Sequence, residues 1–148
     1  MEKIKAIICD LDGTLCNIEH RIHYLKGVQK KWNKFHGALV DDEPNEMVMR
    51  VVMGLCMSHQ IFFLTGRPED YRQKTVDWLS KHYQAKDYRL LMRRRSDFRP
   101  DYVYKKEAYY ADIEPNCDVK LVLEDRTHIS KMWREMGLEC WQVANDDI

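Results

Sequence analysis

The sequence predicts an α/β fold in which about five parallel strands form a doubly wound sheet. Short apolar segments alternate with longer helix-like patterns along the chain. Parallel strands that helices cover on both faces are short and apolar, as these segments are. We expect the strand order 3-2-1-4-5, because a right-handed doubly wound sheet reverses its winding between the first and the fourth strand.

The elements follow from these patterns in chain order. Candidate strands occupy residues 4–9, 60–64, 89–92, 120–123 and 139–143. Helical patterns fill the gaps at residues 47–56, 69–83, 101–110 and 129–136. Apolar side chains recur about every four positions in these helices, which predicts that one side of each faces the core. Gly137 follows the last helix and is expected to cap it.

Residues 16–45 interrupt this alternation with a polar, aromatic and basic segment. The segment is too short for a second domain. It lies between the first strand and its return helix, so it should overhang the strand ends as a small cover. We therefore predict a single domain over residues 1–148, with a small insertion after the first strand and no large cap domain.

Composition narrows the class of protein. Lys plus Arg and Asp plus Glu both number 24, so attraction to nucleic acid would need a local basic patch. The five cysteines form no Cys-x-x-Cys pair, which indicates reduced thiols and no zinc site. The N-terminus lacks a signal-peptide pattern, and no apolar run is long enough to span a bilayer. We expect a cytoplasmic protein.

Two carboxylates end the first strand. Asp10 and Asp12 follow the apolar run 4–9, and Gly13 begins the turn after them. Ligands of open α/β sheets bind beyond the carboxyl ends of the strands, and side chains at i and i+2 point the same way. Two like charges this close repel unless a cation lies between them, so the spacing indicates a bound divalent metal.

Three further segments place polar groups at the same edge of the sheet. Thr65-Gly66-Arg67 follows the second strand and suits phosphate oxygens, while Glu124-Asp125 ends the fourth strand with a second acidic pair. Lys105 precedes the fourth strand and offers a point charge. Each alone has a structural interpretation as a turn, a helix cap or a solvated lysine. Their joint order predicts a site for phosphate and magnesium.

In this order, the motifs Asp10-Leu11-Asp12-Gly13-Thr14, Thr65-Gly66-Arg67 and Glu124-Asp125 resemble those of the haloacid dehalogenase (HAD) superfamily of magnesium-dependent phosphohydrolases. The resemblance implies the HAD-like Rossmannoid form of the predicted sheet.

The chain is most similar to one branch of that superfamily, the 3′-phosphatase domain of bacteriophage polynucleotide kinase. The marks of that branch are Arg21 after Asp10, the spacing of Asp101 and Lys105, and a long tail that starts at Asp125. The chain contains no Gly-x-x-x-x-Gly-Lys-Ser/Thr segment, so we expect a stand-alone phosphatase module without the 5′-kinase half.

The resemblance implies a covalent mechanism. Asp10 would attack phosphorus to form an aspartyl-phosphate. Asp12 would act as general acid and base, for which its pKa would have to be raised, and crowding among acids favours that. Mg²⁺ would be held by Asp10, Asp125 and the backbone carbonyl of Asp12. Glu124 would orient the water shell of the metal, and it departs from the two aspartates of the branch at this point.

The resemblance also implies a set of residues that bind phosphate and substrate. Most of them offer hydroxyl, backbone amide or guanidinium donors, which suit phosphoryl oxygens. They are Thr65, the amides of Leu11 and Gly66, the arginines Arg21, Arg67 and Arg93, and Asp101. Lys105 would balance the charge of Asp10 and the phosphate.

Three functions fit these motifs. The first is removal of 3′-phosphates from DNA or RNA ends, alongside a separate kinase or ligase. The second is hydrolysis of mononucleotides or small phosphorylated metabolites. The third is a receiver-like signalling module that stores phosphoaspartate, and the motif order argues against it because receivers carry their phosphoacceptor on the third strand. No membrane partner is expected, and the oligomeric state is left open.

Two basic segments bear on the choice of substrate. They are Arg93-Arg94-Arg95 with Arg99, and Lys30-Lys31 with Lys34 beside Trp32 and Phe35. Together they offer the charge and the aromatic faces that proteins use to bind single strands independently of sequence. A solvated charged face is an equal alternative.

Overall fold

A five-stranded parallel sheet organises the computed structural model, which describes residues 2–145. The strands, in chain order, are β1 (Ile4–Cys9), β2 (Cys16–Asn17), β3 (Glu43–Pro44), β4 (Gln60–Pro68), β5 (Tyr88–Arg93), β6 (Cys117–Glu124) and β7 (Cys140–Gln142). The order in the sheet is β5-β4-β1-β6-β7, and every neighbouring pair is parallel. The predicted order 3-2-1-4-5 is confirmed.

Helices cover both faces of this sheet. They are α1 (Trp32–Gly37), α2 (Glu46–Leu55), α3 (Arg72–His82), α4 (Asp101–Ala108) and α5 (Thr127–Glu135). Short 3-10 helices cover Ile22–Leu25, Ala38–Asp41 and Glu69–Tyr71, and a π-helical turn covers Tyr109–Ile113. Gly137 ends α5 as predicted, with a φ of +87° and the Leu138 N–H bonded to the Trp133 carbonyl.

Alternate residues of β1 face two different cores. Ile7 and Cys9 belong to the core that α2 and α3 cover. Ala6 and Ile8 belong to the core beneath α4 and α5. Burial on both faces explains the continuous apolar sequence of this strand. It also gives the residues that follow Cys9 a rigid base.

Several elements differ from their predicted bounds. β4 continues beyond residue 64 to Pro68, because Thr65 and Pro68 pair with β5 around an irregularity in the ladder. The helix predicted at 69–83 begins as a 3-10 turn and becomes α-helical only at Arg72. The helix predicted at 101–110 changes to a π-helical turn at Tyr109. The exact ends of these elements depend on pairing and packing between distant segments, so local sequence patterns do not predict them.

The insertion at 16–45 is closed at its base by the antiparallel pairing of β2 with β3. Inside it, α1 and the neighbouring 3-10 helices pack around a small core of Ile18, Leu25 and Phe35. As predicted, the part of the chain from residue 2 to residue 145 has a small insertion here and no large cap domain. Within residues 2–145, no helix combines the length and apolar character needed to cross a membrane.

Candidate active site

The carboxyl ends of three strands bring distant polar side chains to one edge of the sheet. Asp10 follows β1, Thr65 lies near the end of β4, and Asp125 follows β6. All three line one cavity of about 540 Å³. The N–H of Asp10 donates to the Leu123 carbonyl at 3.0 Å, which ties the start of the first loop to β6.

A buried acidic cluster lies at this cavity, which two of its members, Asp10 and Asp125, line. One carboxylate oxygen each of Asp10, Glu124 and Asp125 lies within 4.8 Å of the others. The Thr14 hydroxyl bridges two of them, at 3.2 Å from Asp10 Oδ2 and 3.1 Å from Asp125 Oδ1. Burial, together with the charge of Asp10, raises the pKa of both Glu124 and Asp125. Clustered carboxylates that repel each other suit a hard divalent cation, so this donor set fits Mg²⁺.

Lys105 supplies the cation of the cluster. Its Nζ donates to Asp10 Oδ1 at 3.0 Å and to Glu124 Oε2 at 3.2 Å. Burial alone would lower the pKa of Lys105, but the charges of these two carboxylates outweigh it and raise that pKa above its usual value. Lys105 is therefore charged, and one cation faces three carboxylates.

Asp12 lies in a different environment from the acidic cluster. Arg67 Nε donates to Asp12 Oδ1 at 3.0 Å, and Arg21 Nη2 donates to the same oxygen at 2.6 Å. Burial alone would raise the pKa of Asp12, but the charges of Arg67 and Arg21 hold it well below its usual range. The predicted raised pKa is wrong here, because arginines and not acids crowd this carboxyl. Its side chain lies outside the acidic cluster, which leaves its backbone carbonyl for the predicted metal contact.

The structure also corrects the roles predicted for Arg21 and Arg67. Their side chains are 0% and 1% exposed, and neither lines the cavity. Arg21 forms a bidentate pair with the buried Asp42, at 2.8 Å from Nε and 2.7 Å from Nη2. Arg67 Nη1 donates to the Thr75 hydroxyl at 3.1 Å. Both arginines hold Asp12 in place and do not face the space where a phosphate would bind.

Arg93 and Asp101 line the cavity but form an ion pair with each other. Arg126 Nη1 also donates to Asp101 Oδ2, at 2.9 Å. Arg93 Nε donates to the Gly66 carbonyl at 3.1 Å. A carboxylate repels a phosphate directly, so Asp101 can act on the phosphate site only through its arginine partners.

The predicted phosphate cradle lies at the ends of β1 and β4. Thr65 Oγ1 accepts a hydrogen bond from the Arg67 N–H at 3.1 Å, which leaves its own hydrogen for donation. A Cβ at Gly66 would lie 2.6 Å from Asp101 Oδ1, so any larger residue here would require the Asp101 carboxylate to shift. Leu11 is buried, and its carbonyl accepts the N–H of Thr14 at 3.0 Å. The phosphate-binding role of these groups stays a prediction.

The sequence predicts no separate role for two residues of the site. Thr14 belongs to the first motif, but its bridge between two acids depends on the fold. Asp42 lies in the insertion, and no motif marks it. Its contact with Arg21 joins residues 21 positions apart in an irregular segment, where no periodic pattern could reveal it.

An aspartate after β1, a buried acidic pair at the end of β6 and a lysine between them define a HAD-type phosphatase, which is a phosphoric monoester hydrolase. A class C acid phosphatase from Bacillus anthracis has the same fold, with a TM-score of 0.67 and 15% identity over 100% of this chain and 69% of that chain. The receiver alternative is set aside, because the chain belongs to a hydrolase class.

More specifically, residues 4–148 match the family described as "Polynucleotide kinase PNKP phosphatase domain", and the chain belongs to this family. The protein named "Putative bifunctional polynucleotide kinase/RNA ligase" of Autographa californica nuclear polyhedrosis virus is 30% identical over 136 residues, which are 90% of this chain and 18% of that protein. A chain of a solved Pnkp1/Rnl/Hen1 RNA repair complex has a TM-score of 0.84 and 32% identity, over 99% of this chain and 44% of that chain. The chain thus spans less than half the length of these relatives. The predicted resemblance is confirmed.

Proposed function

We propose that this chain is a magnesium-dependent polynucleotide 3′-phosphatase that works through an aspartyl-phosphate. The observation that carries the proposal is the 3.0 Å contact of Lys105 with Asp10, within a buried acidic cluster and in a chain of the polynucleotide phosphatase family. A carboxylate that is held beside a cation and metal-binding acids suits attack on phosphorus.

Asp10 supplies the nucleophile. Lys105 donates to its Oδ1 and Thr14 to its Oδ2, so the carboxylate is oriented before substrate binds. As the bond from Asp10 to phosphorus forms, the bond from phosphorus to the leaving sugar oxygen breaks. Lys105 and the Thr65 hydroxyl stabilise the charge on the phosphoryl oxygens. Asp10, Asp125 and the backbone carbonyl of Asp12 would hold Mg²⁺, with Glu124 beside them to orient its water shell, and the ion would neutralise further charge there as a Lewis acid.

Asp12 moves the protons. Arg67 and Arg21 keep it ionised, which is the form that deprotonates the water for hydrolysis of the acyl phosphate. To protonate the leaving oxygen in the first step, Asp12 must take up a proton. The negative charge of a bound phosphate favours this uptake, because it offsets the two guanidinium groups.

The proposed substrate is the 3′-phosphorylated end of a nucleic acid strand. The names of the family and of its relatives refer to polynucleotide kinase and RNA repair, which supports a nucleic acid substrate. The chain has no P-loop motif, so we assign it phosphatase chemistry only, with kinase or ligase chemistry supplied by other protein segments. A cytoplasmic location belongs to the same proposal.

Hydrolysis of a mononucleotide is the second candidate. The cavity of about 540 Å³ is within the range that a single small ligand fills. A cavity of this size would also accept the 3′ end of a strand. The two candidates therefore differ in whether residues of the cavity contact bases and phosphates beyond the nucleotide that carries the 3′-phosphate.

The test compares phosphate release from a 3′-phosphorylated oligonucleotide, its 5′-phosphorylated isomer and a 3′-mononucleotide, each with Mg²⁺ and with EDTA. We expect the highest kcat/KM for the 3′-phosphorylated oligonucleotide and no turnover in EDTA. Equal or higher kcat/KM for the mononucleotide would favour the second candidate. Full activity in EDTA would contradict the role of the metal.

A further inference from the structure

We propose that Trp32 and Phe98 stack against the bases near the 3′ end of a bound polynucleotide strand. This inference rests on the proposed function and adds the groups that recognise a strand. Both residues line the cavity that contains Asp10, and they come from separate segments, the insertion and the loop between β5 and α4. Stacking on aromatic rings tolerates any base, which suits an enzyme that acts on strand ends of any sequence.

The indole of Trp32 is a braced platform. It is 44% exposed, although its neighbours His36 and Phe35 are buried. Its ring stacks on His36 with centroids 5.8 Å apart and planes at 25°, and it meets Phe35 edge-on at 5.9 Å. Because the ring is already fixed by these contacts, a base that stacks on its exposed part would cost little conformational entropy.

Phe98 is presented by an ordered loop. Its side chain is 90% exposed, so the ring contributes almost nothing to the core. Arg93 donates to the carbonyl of Asp97 at 3.3 Å and to that of Arg99, while Asp97 Oδ1 accepts the Arg99 N–H at 3.1 Å. Phe98 and Trp32 together place two exposed aromatic rings on one cavity, and exposed aromatic surface that is grouped at a cavity is typical of a binding site. These contacts also give Arg93, predicted as a phosphate ligand, a structural role in the loop.

Charges at the rim identify the partner as a nucleic acid strand. Lys30 Nζ lies 5.6 Å from the centroid of the Trp32 ring and lines the same cavity. Arg95 also lines it, with a side chain that is 76% exposed and only a 3.6 Å contact to Asp70. Rings interspersed with accessible cations match the bases and internucleotide phosphates of a single strand.

The test measures kcat/KM for Trp32→Ala and Phe98→Ala on two substrates, a 3′-phosphorylated single-stranded oligonucleotide and glycerol 2-phosphate, which has no ring. We expect the ratio of kcat/KM for the oligonucleotide to that for glycerol 2-phosphate to fall about tenfold in each variant, mainly through KM. Trp32→Phe and Phe98→Trp keep a stacking face and should retain most of the wild-type ratio.

A third substrate measures the contribution of the bases alone. An oligonucleotide whose last two nucleotides are abasic should bring the wild-type protein down to the level of the alanine variants, which should themselves lose little more. Trp141→Ala is the matched control, because Trp141 is 50% exposed on β7 and lies outside the cavity.

The outcomes separate the two proposals. If the alanine variants keep the wild-type ratio, or if they lose equally on intact and abasic strands, stacking is overturned while the phosphatase function stands. If the wild-type protein hydrolyses glycerol 2-phosphate but not the oligonucleotide, the polynucleotide function itself fails. Folding does not confuse the result for Phe98→Ala, because the exposed ring makes no buried contact.

Discussion

Lys105 Nζ donates a hydrogen bond of 3.0 Å to Asp10 Oδ1, although the two residues are 95 positions apart in the sequence. The same ammonium group lies 3.2 Å from Glu124 Oε2, so one buried cation serves two carboxylates. It does not balance Asp125 as well, so full ionisation of the cluster needs a further cation, and without one Glu124 and Asp125 hold their protons to higher pH. The same cluster therefore affects the activity of the nucleophile, the stability of the protein and the effect of Mg²⁺ on that stability.

Replacing Asp10 by Asn should abolish phosphate release and leave the fold intact, because the change removes the nucleophilic oxygen and barely alters the shape. Colorimetric phosphate release and circular dichroism provide the two measurements. Asp118→Asn is the matched control, since Asp118 is an exposed residue of β6 paired only with Lys120 at 2.6 Å. Residual turnover above background in Asp10→Asn would rule out the aspartyl-phosphate.

Lys105→Met should destabilise the protein as well as inactivate it. The substitution leaves Asp10 and Glu124 without their buried cation, and breaking a buried ion pair costs about 3–5 kcal/mol. Urea unfolding measures this loss of free energy. Lys106→Met, on the neighbouring exposed position of α4, should change stability by less than about 0.5 kcal/mol. Similar midpoints for the two variants would show that the Lys105 pair carries no net stability.

In EDTA, the free energy of unfolding should fall as the pH rises from about 7 to about 8.5. The pKa values of Glu124 and Asp125 are raised in the folded protein, so it binds more protons than the unfolded chain in this window and loses stability as they dissociate. Burial lowers the pKa of His36 to about 4, so this residue is neutral in both states there.

Mg²⁺ should remove most of this pH dependence, because the ion takes the place of the protons and stabilises the folded state by mass action. Chemical denaturation at each pH, with Mg²⁺ or with EDTA at matched ionic strength, measures the effect. In the double variant Glu124→Gln with Asp125→Asn, Mg²⁺ should no longer raise the free energy of unfolding, and the part of the pH dependence that comes from these two carboxyl groups should be lost. Parallel pH curves with and without Mg²⁺ would contradict a metal at this cluster.

Gly66→Ala should impair activity, because the added methyl group would lie 2.6 Å from Asp101 Oδ1 and force that carboxylate away from Arg93 and Arg126. Overpacking of this kind costs about 1–3 kcal/mol. Gly54→Ala on α2 is the control, since nothing lies within 4 Å of its new Cβ, and it should stabilise the helix by about 0.5–1 kcal/mol. An active and fully stable Gly66→Ala protein would show that Asp101 can move without penalty.

The fold could be predicted from local patterns. The apolar run of β1 and the recurrence of apolar residues about every four positions in α2 and α5 reflect which faces of these elements are buried. Right-handed connections between parallel strands then favour the observed order of strands in the sheet. The positions of Asp10 and Asp125 follow from that order, because residues that end neighbouring parallel strands meet at one edge. Lys105 lies within α4, and the packing of this helix on the sheet brings its side chain to Asp10.

The partners of the arginines could not be predicted in this way. A guanidinium group binds phosphate and carboxylate with similar geometry, so residue type alone does not say which one it meets. The expected phosphate ligands Arg21 and Arg67 bind Asp12, because the fold buries them behind the cavity with Asp42. The pKa of Asp12 is therefore lowered, whereas the sequence predicts that it is raised.

By itself, the sequence determined the sheet, its order, the strand ends that carry the acids, and the family of the chain. Only the tertiary structure decided which charges pair, which side chains reach the cavity, and that Trp32 and Phe98 lie at its rim. The physical reason is range: periodicity and motif spacing act over a few residues, whereas burial and ion pairing depend on segments that meet only after the chain has folded.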